Sequence, residues 1–228
     1  MTPLLLRVWP AAVVLSAALA IAGASFALDQ AGLVFVFKPL TTLLIIGWAW
    51  RRASADAAAM RRWIVIGLLL SLVGDIALLW PREGFVPGLV AFLLAHLAYI
   101  RAFCAPVRFA AKPWLFALYG AVGALLLSQL WHGVPTALQV PVVAYVLCLA
   151  SMAAQAAVWW RVAEGSSTQT WARRAAIGGM LFMLSDTLLA FNKFDGPLPL
   201  ASLWILASYW LAQWCIANSL KEQGATCL

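Results

Sequence analysis

Three ionisable residues stand inside stretches that are otherwise apolar: Lys38 after Phe35-Val36-Phe37, Asp75 after Leu72-Val73-Gly74, and Asp186 after Met183-Leu184-Ser185. A charge surrounded by hydrocarbon is costly, so such residues face the interior of a helical bundle, pair with one another, and mark functional positions. Two acids against one base leave one carboxyl without a counter-ion, and in a dry setting that group is more stable neutral. A neutral carboxylic acid beside an ionised one is the arrangement general acid–base chemistry requires. The same residues also permit a plainer reading, in which Lys38 pairs with one Asp and the other is hydrogen-bonded, so that all three only hold helices together.

Other polar residues fall close enough in the sequence to join them. His96, with Tyr99 nearly one turn later, lies near the middle of an apolar run and is a candidate proton shuttle or a packed, hydrogen-bonded histidine. A histidine zinc site is not expected, because catalytic zinc generally takes three protein ligands and the only other histidine, His132, falls between spans. Asn192 and Lys193 end one apolar run, while Tyr209 and Gln213 are one turn apart on another; each is a substrate contact or a helix cap and inter-helix bond. Gln155 and Ser151 read as packing groups. No cofactor is expected, since the chain has no GxGxxG, Walker loop, HExxH or GxSxG element.

The elements that must position these groups follow from composition. The 228 residues are 65% hydrophobic and 10% charged, with mean hydropathy +0.94, against about 25% charged in ordinary soluble domains. About 20 apolar residues in a helix cross the hydrocarbon of a bilayer. Eight such stretches divide the chain, with cores near 8–28, 31–50, 62–80, 86–104, 113–131, 138–160, 174–192 and 198–220. We therefore expect an all-α, polytopic membrane bundle of about eight spans forming a single domain over residues 1–228. The first run is longer than a signal-peptide core of about 7–15 residues, so it is read as a retained span although small residues lie around Ala24 to Ala27. The turn Asp29-Gln30-Ala31-Gly32 makes the first connection very short.

The net charge of +7 comes from basic residues scattered in ones and twos between the spans, which is a topology signal and not a nucleic-acid surface. Arg7, Arg51, Arg52, Arg61, Arg62, Arg101, Arg108, Lys112, Arg161, Arg173, Arg174 and Lys221 fall on one side, Arg82 and Lys193 on the other. By the positive-inside rule both termini are cytoplasmic, and Trp80, Trp131 and Trp160 suit interfacial anchors. Cys104, Cys148, Cys215 and Cys227 lack metal or redox spacing. Counting residues from the span ends at about 1.5 Å each puts Lys38, Asp75 and Asp186 about 7–11 Å below the outer boundary, a common depth for one pocket. Spans three and seven also match: each has an Asp eight residues after a glycine, Gly67 to Asp75 and Gly178 to Asp186, a hint of an internal duplication.

The motifs Phe37-Lys38-Pro39-Leu40-Thr41-Thr42, Gly74-Asp75 with Leu78, Phe92 to Tyr99, Leu184-Ser185-Asp186 and Tyr209-Trp210-Leu211-Ala212-Gln213, taken in order, resemble the YhhN family of lysoplasmalogenases. The resemblance covers the second to the eighth span. It implies hydrolysis of the vinyl ether bond of a lysoplasmalogen within the bilayer, giving a fatty aldehyde and a glycerophosphocholine or glycerophosphoethanolamine. Vinyl ethers hydrolyse through an oxocarbenium ion, and a pair of carboxyl groups serves such chemistry in glycosidases. The expected catalytic pair is Asp75 and Asp186, in undetermined order, with Lys38, His96, Asn192 and Tyr209 as charge partners or substrate contacts. Expected partners are a lysophospholipid and the cell membrane, the inner one in a Gram-negative source. The competing reading is a proton-coupled transporter or lipid-binding membrane protein.

Overall fold

A computed structural model describes residues 3–25, 31–52 and 57–221. Asp29 and Gln30 of the first connection, Ala27 of the small-residue stretch and Cys227 lie outside the described residues. Eight α-helices occur in order: α1 Pro3–Ser25, α2 Ala31–Arg52, α3 Ala58–Ala77, α4 Phe85–Phe103, α5 Pro113–Leu130, α6 Thr136–Val162, α7 Gln169–Phe194 and α8 Ala201–Ala217. A single 3-10 turn, Trp131–Gly133, separates α5 from α6, and no strand occurs among the described residues.

Six helices (α1, α2, α4, α5, α6 and α7) are long and apolar enough to cross a membrane, and α8 is a shorter apolar helix of 17 residues. The remaining one, α3, carries Arg61 and Arg62 near its start and Asp75 near its end. α8 packs against α1, α2, α3 and α7, and α3 against α2, α4 and α8. They carry part of the buried polar set, Ser71, Asp75, Ser208 and Gln213, with Tyr209 buried beside it.

The closest pairings are α3 with α4 and α7 with α8. Both depend on glycine. A side chain at Gly67 would enter the Tyr99 ring, and one at Gly178 would come to 2.8 Å from Ile216 Cγ1. The matching glycines of spans three and seven are therefore close-approach positions, each serving contact with the next helix, as small residues do in membrane bundles. α4 skips α5, the helix that follows it, and packs on α6, leaving α5 on the flank of α6 and α7. The interior between helices is filled by Ile64, Leu68, Phe103, Met152, Phe182 and Ile216, which have essentially no exposed surface. Val14, Val36, Val73, Leu125, Val140 and Leu147 point outward, each more than half exposed, which suits contact with hydrocarbon and not with water.

Aromatic–cation contacts mark the basic end of the bundle. Arg51 lies over Trp9, Arg101 over Trp63 and Lys221 over Trp171, with 4.7–6.0 Å between charge and ring centroid. Gln155 ties down the loop after α4: its Oε1 accepts from Ala110 N at 3.1 Å and its Nε2 donates to Phe103 O and Val107 O. Cys104, Cys148 and Cys215 are free thiols.

Candidate active site

Toward the end of the bundle opposite those basic residues, the helices part around a cleft of about 330 Å³. Lys38 of α2, Asp75 of α3, Asp186 and Asn192 of α7, and Tyr209 of α8 all line it, as does Lys193. Helical periodicity explains the convergence. Lys38 and Thr42 are one turn apart on α2 and face α3, where Asp75 occupies the interior side, 1% exposed. Ser185, beside Asp186, donates to Ile205 O at 3.0 Å and clamps α7 onto α8 at this level.

Asp75 is held from two helices. Thr42 Oγ1 donates to its Oδ2 at 2.6 Å and Tyr209 Oη to the same oxygen at 2.8 Å. Trp210 Nε1 donates in turn to Thr42 Oγ1 at 3.3 Å, which orients that hydroxyl. Lys38, 7% exposed, interacts electrostatically with Asp75. Among the described residues no carboxylate oxygen lies within 4.0 Å of the ammonium, so the direct ion pair of the plainer reading does not form.

Asp186 has a different shell. Tyr145 Oη of α6 donates to its Oδ2 at 2.6 Å, and His96 Nε2 stands 4.0 Å from the same oxygen. Its side chain keeps 12% exposure. His96 is wholly buried behind it and does not line the cleft. The imidazole meets the rings of Tyr145 and Phe182 edge-on, with centroids 5.3 and 4.7 Å away, and neither nitrogen has a hydrogen-bond partner among the described residues.

Asn192 lines the cleft with its oxygen already engaged: Oδ1 accepts from Leu198 N at 3.0 Å and fixes the loop between α7 and α8. Lys193 Nζ lies 4.9 Å from the Phe85 ring centroid at the same level. Gln213 faces inward from α8 and accepts from Tyr99 Oη at 2.7 Å, joining α4 to α8 below Tyr209. Two donors of the site, Thr42 and Tyr145, are not singled out by sequence reasoning. The available signals are weak: Thr42 follows Lys38 by one turn, and Tyr145 is the one tyrosine of α6.

A second, narrower cavity of about 90 Å³ adjoins the cleft, bounded by α4, α5, α6 and α7. Its walls are hydrocarbon, including Leu89, Leu126, Leu130, Val142 and Leu149, apart from Asp186, Thr187 and Tyr145. Asp186, Leu78, Phe85, Phe92 and Leu189 line both spaces. The site thus joins a cleft that holds two lysines and both carboxyl groups to an apolar chamber, and Asp186 stands where they meet.

Fold and site together define a polytopic helical membrane protein with two carboxyl groups set into the interior of its bundle. Its sequence from residue 33 to 220 matches the YhhN family, and the chain belongs to that family. It is 36% identical over 183 residues to lysoplasmalogenase TMEM86B of Homo sapiens, covering 80% of this chain and 73% of that protein. With lysoplasmalogenase TMEM86B of Sus scrofa it shares 39% identity over 164 residues, 68% of this chain and 62% of the pig protein. An uncharacterized membrane protein YhhN of Escherichia coli O157:H7 is 36% identical over 97 residues, 42% of this chain and 46% of that protein. No solved structure matches.

Proposed function

We propose that this protein is a lysoplasmalogenase, hydrolysing the vinyl ether of a lysophospholipid inside the membrane by carboxylate acid–base catalysis. The observation that carries the reading is Asp75 and Asp186 lining one cleft in a chain whose relatives are named lysoplasmalogenases. Vinyl ether hydrolysis needs a proton delivered to carbon and a water delivered to the adjacent carbon, which is one task for each carboxyl group. The intervening oxocarbenium ion is stabilised by a neighbouring carboxylate, as in glycoside hydrolysis. Lys38 lies within electrostatic reach of Asp75 and favours the ionised form of that carboxyl. Lys193 and the cleft's polar mouth suit a phosphodiester headgroup, since an ammonium attracts phosphate as a point charge.

The same proposal takes residues 1–228 as one membrane domain whose eight helices all span the bilayer. Both termini lie on the cytoplasmic side with the basic end, and the cleft opens toward the opposite face. The cell membrane is its location, the inner one in a Gram-negative source. Purified protein in detergent, given an alkenyl-glycerophosphocholine or alkenyl-glycerophosphoethanolamine, releases a fatty aldehyde with no ion gradient present. A proton-coupled carrier would release none, and that result would overturn the proposal.

A further inference from the structure

The two carboxyl groups differ in which cavity they reach. Asp75 lines the polar cleft alone, whereas Asp186 lines both the cleft and the apolar chamber. A lysoplasmalogen is divided in the same way: a phosphodiester and glycerol at one end, a long hydrocarbon at the other, with the vinyl ether at the junction. Of the two vinyl carbons, C1 bears the ether oxygen and C2 begins the hydrocarbon. Resting on the lysoplasmalogenase reading, we infer that the apolar chamber between α4, α5, α6 and α7 binds the alkenyl chain, that Asp186 at its mouth protonates C2, and that Asp75 delivers water to C1.

The surroundings agree with this division of labour. Asp75 accepts two hydroxyl hydrogen bonds and lies within electrostatic reach of Lys38, contacts that give a carboxylate there more support than Asp186 has. Asp186 accepts one, from Tyr145, and has no Lys or Arg nitrogen within 4.0 Å among the described residues, while the walls beside it are hydrocarbon. The chamber offers no polar partner beyond Asp186, Thr187 and Tyr145, so a headgroup would be stranded there and an alkyl chain would not.

The steps balance. The carboxyl of Asp186 gives its proton to C2 as the C1=C2 π pair forms the new C–H bond, and the positive charge spreads over C1 and the ether oxygen. Water bonds to C1 through an oxygen lone pair and loses a proton to the Asp75 carboxylate, leaving a hemiacetal. The hemiacetal hydroxyl then returns a proton to Asp186 as the bond from C1 to the glycerol oxygen breaks. Asp75 protonates that oxygen, so aldehyde and glycerophospho product leave and both groups regain their starting states.

Two experiments read the two halves. In D₂O, Asp75→Asn retains the proton donor but loses the base, so C2 is protonated reversibly and recovered substrate carries vinylic deuterium at C2. Asp186→Asn gives none. Exchange in the Asp186 variant instead, or in neither, overturns the assignment. For the chamber, Leu126→Trp, with the milder Leu126→Phe in case the larger ring prevents folding, lowers kcat/KM for long alkenyl chains relative to short ones by about tenfold. Leu125→Trp, on the lipid-facing side of the same helix at 62% exposure, leaves that ratio unchanged. An unshifted ratio in both Leu126 variants removes the chain from the chamber. If the wild-type protein releases no aldehyde at all, the lysoplasmalogenase reading itself fails, a result distinct from either of these.

Discussion

Asp75 and Asp186 occupy matching places, each eight residues after a close-packed glycine and each accepting a hydroxyl from the helix before its own: Thr42 of α2 for the first, Tyr145 of α6 for the second. From there the two diverge. Asp75 has a second donor, Tyr209, and a lysine in electrostatic reach, and it faces only the polar cleft. Asp186 has one donor and an unpartnered histidine at 4.0 Å, and it stands between the cleft and a hydrocarbon chamber. Two carboxyl groups of similar local sequence thus acquire different environments through tertiary neighbours alone, and separation of environments is what assigns acid and base roles to a carboxyl pair.

The strongest way to break this comparison is to neutralise each carboxyl in turn. Asp75→Asn and Asp186→Asn each lower turnover by about 10²–10⁴-fold, measured as aldehyde release, while the variant still inserts and gives a normal thermal melt. Near-normal turnover in either would remove that residue from the chemistry. Removing the donors sharpens the contrast. Tyr145→Phe takes away the sole hydroxyl on Asp186 and costs roughly tenfold or more in kcat, because that bond stabilises the carboxylate formed as Asp186 releases its proton, and a hydrogen bond to a charged group contributes about 1.5–3 kcal/mol. Tyr209→Phe leaves Thr42 on Asp75 and costs less, about threefold; the reverse order of the two effects would contradict the shells described above.

Lys38→Met separates a working charge from a structural one. With no carboxylate in ion-pair contact, the lysine contributes little to holding the helices together, so the variant folds and loses about tenfold in turnover. A collapse of the melting temperature with turnover per folded molecule intact would restore the structural role. The smallest effect is expected at His96. Its two unpartnered nitrogens are a cost in a dry interior, and exchanging a buried polar group for an apolar one of similar shape is close to neutral or stabilising. His96→Leu accordingly raises or preserves the melting temperature and changes turnover by less than about fivefold; a loss as large as that of Asp186→Asn would make the histidine part of the proton path.

The helices were legible because hydropathy and length are strong signals at membrane scale, and all eight occur where apolar runs indicated them. That Lys38, Asp75 and Asp186 share one cleft was legible too, since rise per residue converts a count into a level along the bundle. What lay beyond reach was the identity of their partners. Thr41 and Thr42 are adjacent and identical in type, yet Thr41 bonds the backbone of its own helix at Phe37 O while Thr42 bonds Asp75. Rotation of α2 about its axis makes that difference, and it is set by packing. Asn192 shows the converse: a polar residue at the right level whose oxygen is occupied by the loop before α8. The chamber was equally invisible, because it exists only where α4 packs on α6 and leaves α5 aside.

The central claim, that these carboxyl groups protonate a vinyl ether carbon, is tested most directly by turnover of a lysoplasmalogen in D₂O, with the aldehyde trapped by reduction as it forms. The wild-type protein should give an alcohol carrying one solvent-derived deuterium at C2, and the variant carrying both Asp75→Asn and Asp186→Asn should give no product above background. Product without deuterium at C2, or undiminished product from the double variant, would contradict the account.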